Sequence, residues 1–221
     1  MSSPTRLIPL WYAATVIGVL SVLTVVFVGL AATSEGLQGL SAWGLVVATG
    51  LLLVAAISSL GRPRRRREPV TGPDGSRVFL APAATVWSLV GAWVALLVVA
   101  TLWVVIGATD LDDIESPGFA LITVLGALAS LPDLARLLTG RLHRWRLELG
   151  PESISYRGYR TAETWPWSKV HGARIHPRGP AGVAIDVKGA GKDPVVPITA
   201  FDVPAEQLIE EIQRAKAAAR R

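Results

Sequence analysis

Residues 8–32 carry no charged side chain, and neither do residues 40–60 or 83–106. As a helix, the first run would extend about 37 Å at about 1.5 Å per residue. That exceeds a hydrocarbon core of about 30 Å. A cleavable signal peptide has an apolar region of only about 7–15 residues, so the first run reads as a retained span. Trp11 and Tyr12 near its start, and Trp87 and Trp103 towards the ends of the third run, suit the headgroup level. Residues 119–131 form a fourth, shorter run, which reaches spanning length only by extending to Leu138, across Asp133 and Arg136. The pattern predicts an α-helical membrane bundle of four spans in two hairpins, 8–32 with 40–60 and 83–106 with 118–138.

Between the hairpins lies Arg62-Pro63-Arg64-Arg65-Arg66-Arg67, inside a Pro- and Gly-rich stretch. Residues 61–82 therefore read as a basic loop. With four spans, residues 33–39 and 107–117 share one side of the membrane. They carry five acids (Glu35, Asp110, Asp112, Asp113 and Glu115) and no Lys or Arg. All 22 Lys and Arg residues fall on the opposite side. The positive-inside rule then places both termini, the arginine loop and everything after residue 138 in the cytoplasm of a cell-membrane protein.

From Arg141 onward the periodicity changes. Short β-type runs at 145–149, 154–157, 161–165, 170–176, 183–187 and 195–198 are punctuated by Gly, Pro or Asp. Residues 204–221 then read as a helix, with Asp202 as its cap. Leu208, Ile209, Ile212, Ala215 and Ala219 fall on one stripe. A β-rich domain with a C-terminal helix is expected over 141–221.

No catalytic signature accompanies these elements. The chain lacks cysteine, which excludes disulfides and thiolate chemistry. G-x-S-x-G, H-E-x-x-H and Walker A patterns are absent. Gly189-Ala190-Gly191-Lys192-Asp193 has Asp where a phosphate loop needs Ser or Thr, and reads as a hairpin turn. His171 and His176 are five apart in an expected strand and so fall on opposite faces. The apolar runs contain only Ser and Thr as polar groups, where an ion pathway usually needs ionisable ones. Each run holds a small-xxx-small pair (Ala14/Gly18, Gly44/Ala48, Gly91/Ala95 and Gly126/Ser130) that permits close helix approach and self-association. No cofactor or metal site is expected, and a nucleic-acid partner lacks any reader motif.

Arg146-Leu147-Glu148-Leu149, Ile154-Ser155-Tyr156, the step Trp165-Pro166-Trp167-Ser168-Lys169-Val170 and the helix over 205–220 together resemble bacterial pleckstrin-homology (PH-like) domains of membrane proteins. The resemblance implies a β barrel plugged by the C-terminal helix, with six strands counted here where a full barrel has seven. It also implies a non-enzymatic binding or scaffolding role, with protein or lipid headgroups as partners. The usual basic lip is not matched, because the turn Gly150-Pro151-Glu152-Ser153 carries an acid. Two candidate sites follow. Trp165 and Trp167 either pack in the core or line a groove for a protein partner. Arg62, Arg64, Arg65, Arg66, Arg67, Arg141, Arg144 and Arg146 lie beside the membrane and could meet anionic lipid, or could serve topology alone. An accessory subunit of a transporter or membrane enzyme is a third reading.

Overall fold

The computed structural model describes residues 9–61, 66–72, 74–109, 117–138, 145–158, 162–176, 182–189, 193–197, 201 and 203–219. They divide into a helical unit within residues 11–58 and 84–142 and a β-rich unit within 59–83 and 143–221.

In the helical unit, α1 spans Leu10–Thr33 and α2 spans Gly36–Ala56, with a wider π turn over Ile57–Gly61. The expected link over 33–39 is thus only Ser34 and Glu35. Helix α3 covers Ala83–Thr109 and α4 covers Pro117–Leu138. Three stretches are long and apolar enough to cross a membrane: Leu10–Thr33, Gly36–Leu60 and Ala83–Thr109. The apolar part of α4, Pro117–Pro132, is shorter.

The helices present large apolar side chains outward, as a lipid solvent allows. Trp11, Val22, Val25 and Ile122 are among the most exposed. Their hydroxyls turn back onto the backbone: Ser21 donates to Ile17 O and Thr24 to Leu20 O, both at 2.8 Å. A few polar groups instead join helices. Ser58 and Thr85 hydroxyls lie 2.7 Å apart, and Trp93 Nε1 donates to Ser130 Oγ at 2.9 Å. Phe119 stacks on Phe27 of α1 and meets Trp103 of α3 edge-on. Of the small-xxx-small pairs, those of α2 and α3 sit where the helices meet. A Cβ on Gly44 would come within 2.5 Å of Val99 Cγ2, and one on Gly91 within 3.0 Å of Leu51. Gly18 and Gly126 have open space instead.

The β-rich unit begins earlier in the chain than the sequence pattern indicates. The stretch read as a loop contains β1 (Val70–Thr71) and β2 (Arg77–Leu80). Their turn is closed by Gly72 N donating to Ser76 O at 2.8 Å and by Gly75 at φ +75°. A residue with a side chain adopts that backbone only with strain. Strand β2 pairs antiparallel with β3 (Arg146–Leu149), which pairs with β4 (Ser153–Arg157) and then β5 (Ala162–Pro166). The order of this five-stranded sheet is β1-β2-β3-β4-β5. A 3₁₀ turn over Trp167–Lys169 leads into β6 (Val170–His176), which forms a three-stranded sheet with β7 (Gly182–Val187) and β8 (Val195–Pro197).

The described strands thus form two sheets and no closed barrel. Proline explains where pairing stops. Pro166 ends β5, Pro197 ends β8 and Pro69 precedes β1, and none can donate to a ladder. The two sheets nevertheless share one core with α5 (Ala205–Ala218). Phe79, Leu147, Ile154 and Trp165 contribute from the first sheet, Val183, Ile185 and Val196 from the second, and Leu208 and Ile212 from α5. Ile209 and Ala215 of the expected stripe pack at its margin, whereas Ala219 lies past the helix and is exposed. Pro204 occupies the N-cap position; Asp202 lies outside the described residues.

Candidate functional site

The conspicuous residues of the β-rich unit gather where the segment before β1 meets α5. Gln207, buried on the first turns of α5, reaches the backbone of Arg67. Its Oε1 accepts from Arg67 N at 3.1 Å and its Nε2 donates to Arg67 O. One amide side chain therefore satisfies both backbone groups of a residue outside any sheet, as a neighbouring strand would. Beside it, Arg66 Nη2 meets Glu210 Oε1 at 2.8 Å on the surface. One residue further along α5, the buried carboxylate of Glu211 accepts from Arg77 of β2 and from Arg214 Nη1, the latter at 2.7 Å. Burying a carboxylate is costly unless it is paired and hydrogen-bonded in this way.

Among the eight arginines marked by sequence, Arg62, Arg64, Arg65, Arg141 and Arg144 lie outside the described residues. The other three are not brought to one point. Arg66 and Arg67 run along α5, while Arg146 on β3 pairs with Glu148 at 2.8 Å. Next to Arg146, in register on β4, stands Arg157, which sequence inspection did not single out. The signal was available only through strand pairing, which a single chain does not display.

Trp165 and Trp167 do not form a groove. Both are buried in the shared core, Trp165 opposite the core residue Ile154 and Trp167 at the start of the 3₁₀ turn. Trp167 also fastens the β3–β4 turn, its Nε1 donating to Gly150 O at 2.9 Å and its backbone N to Glu152 O at 3.1 Å.

Among the described residues, shallow clefts open on this unit. One of about 300 Å³ lies between Gly75, Arg77, Pro151, Arg214 and Ala218. Another, about 210 Å³, is lined by Arg67, Val70, Leu80, Pro82, Phe201 and Val203. Both fall at or below the range of about 300–1,000 Å³ typical of small-molecule sites. The shifted titratable groups have local explanations. Asp74 is held below its ordinary value mainly by the Ser76 hydroxyl, which donates to it at 2.8 Å in the β1–β2 turn. Burial pushes the Tyr156 phenol up to about 12. No cluster of three or more metal-ligating side chains occurs among the described residues.

Comparisons with protein-family models, with curated proteins and with solved structures find no match for this chain.

Proposed function

We propose that this chain is a four-span membrane protein, with both termini in the cytoplasm, that displays the β-rich unit as a non-enzymatic binding or scaffolding module for a protein partner. One observation carries the reading: β2 pairs with β3 through four registered residue pairs. Strand β2 precedes α3, and β3 follows α4. Paired strands lie on the same side of a membrane, so the chain between them crosses an even number of times. If α3 crosses, α4 crosses too. Its 22 residues extend about 33 Å, with the Asp133–Arg136 end in the headgroup region. The one-sided distribution of all 22 Lys and Arg supports a cytoplasmic location for that side.

The same pairing makes the module discontinuous in the chain. It is joined to the helices at three points: before β1, after β2 and before β3. The likeness to bacterial PH-like modules supports a binding role.

The chain is free of cysteine, so single substitutions report topology cleanly. In intact cells a membrane-impermeant maleimide is expected to label Glu35→Cys and to leave Glu163→Cys unlabelled until lysis. Labelling of Glu163→Cys in intact cells overturns the topology. A photo-crosslinking residue at Glu163, exposed on the edge strand β5, is expected to give one discrete protein adduct. Lipid adducts alone would count against a protein partner.

A further inference from the structure

We infer that the end of the five-stranded sheet bearing Arg146 and Arg157 is a contact surface for anionic phospholipid headgroups of the bilayer that the chain crosses. This inference rests on α3 being a span and is independent of the protein-partner reading.

Registration comes first. Leu80 of β2 stands opposite Arg146 of β3, Arg146 opposite Arg157 of β4, and Arg157 opposite Ala162 of β5. These four form the last row at one end of the sheet. Cross-strand partners share a face, and here it is the face away from the core, since the adjacent Leu147 and Tyr156 point inward.

Covalent reach comes next. Leu80 is three residues before Ala83, the first residue of α3. Three peptide units extend at most about 10 Å. The ladder continues even closer to the helix, with Ala81 N donating to Trp145 O at 2.9 Å. Trp87, 65% exposed in the second turn of α3, is the type of residue that settles at the headgroup level. Only Ala81 and Pro82 separate the row from the first residue of α3.

Charge decides the ligand. Two guanidinium groups directly opposite one another are a like-charge pair, which weakens a sheet unless a counter-charge is present. Arg146 has Glu148. Arg157 is exposed and makes no ion pair among the described residues. A phosphodiester can take two or more donors from guanidinium groups, and an anionic leaflet supplies phosphodiesters at this height. The loop arginine Arg66, by contrast, already has its acid in Glu210.

The test uses the full chain in nanodiscs of phosphatidylcholine, alone or mixed with phosphatidylglycerol, and reads hydrogen exchange of the peptide spanning 146–157. Anionic lipid is expected to slow exchange about fivefold, the effect of roughly one basic contact. Arg157→Gln should abolish the slowing while keeping the melting temperature. Arg66→Gln should leave it intact. Equal exchange in both discs, or slowing that survives the double variant Arg146→Gln/Arg157→Gln, overturns the proposal. So does reproduction of the effect by inorganic phosphate in neutral discs, which would indicate a free-anion site. Failure of α3 to span is detected separately: Asp112→Cys, between α3 and α4 in the chain, would then escape the impermeant maleimide in intact cells.

Discussion

Phe79 stands directly opposite Leu147 in the five-stranded sheet, although α3 and α4 separate the two in the chain. Both side chains are buried in the shared core. Removing the segment 66–82 would expose the β3 edge and empty the place of Phe79. An isolated 145–221 fragment is expected to give a poorly dispersed amide spectrum. The same fragment preceded by 66–82 on a Gly/Ser linker should be well dispersed, and Phe79→Ala in it should cost about 3–5 kcal/mol in denaturant unfolding. Equal dispersion and stability of the two fragments would show that β2 is dispensable.

Neighbouring acids on α5 should behave differently. Glu211 is buried between Arg77 and Arg214, whereas Glu210 meets Arg66 where both are exposed. Glu211→Gln removes charge-assisted hydrogen bonds and is expected to lower stability of the β-rich unit by about 1.5–3 kcal/mol. Glu210→Gln should cost at most about 1 kcal/mol, and that effect should fade with added salt. Denaturant titrations at low and high salt compare the two.

Small residues in the helices are not equivalent either. Gly44 faces Val99 with no room for a side chain, while Gly18 faces open space. Gly44→Leu should destabilise the helical unit by about 1–3 kcal/mol through overpacking. Gly18→Leu should be near neutral. Thermal unfolding in detergent, followed by tryptophan fluorescence, distinguishes them.

Tyr156 predicts an alkaline effect. Its phenol titrates at about 12 in the fold and near 10 in an unfolded chain. Between those values the unfolded state releases the proton first, so stability falls as pH rises from 10 to 12. Below pH 10 the group contributes no pH dependence. Tyr156→Phe should flatten the decline in melting temperature over that window; an unchanged slope would mean that the phenol is not buried in solution.

Much of this architecture is written locally. Leu10–Thr33 and Ala83–Thr109 are apolar over a bilayer's thickness, and that length needs no partner to be recognised. The alternation in Arg146–Leu149, the punctuation by Gly150-Pro151 and the stripe Leu208, Ile209, Ile212 likewise follow from the repeat of a strand or helix. Strand β2 was not legible: Val78-Phe79-Leu80 falls in the stretch that reads as a loop. Set between five arginines of the cluster and a long apolar helix, four residues carry little periodic signal.

Sequence alone therefore determined the apolar helices, the six later strands and the final helix, because hydrophobic length and side-chain period are properties of contiguous residues. Tertiary structure decided that β2 completes a sheet begun beyond α4, that Arg67 and Arg77 are fastened to α5, that Trp165 and Trp167 fill the core, and that Arg157 stands beside Arg146. Each of these depends on which distant segment supplies the opposing hydrogen bond, carboxylate or apolar surface, and such pairings are set by packing across the fold.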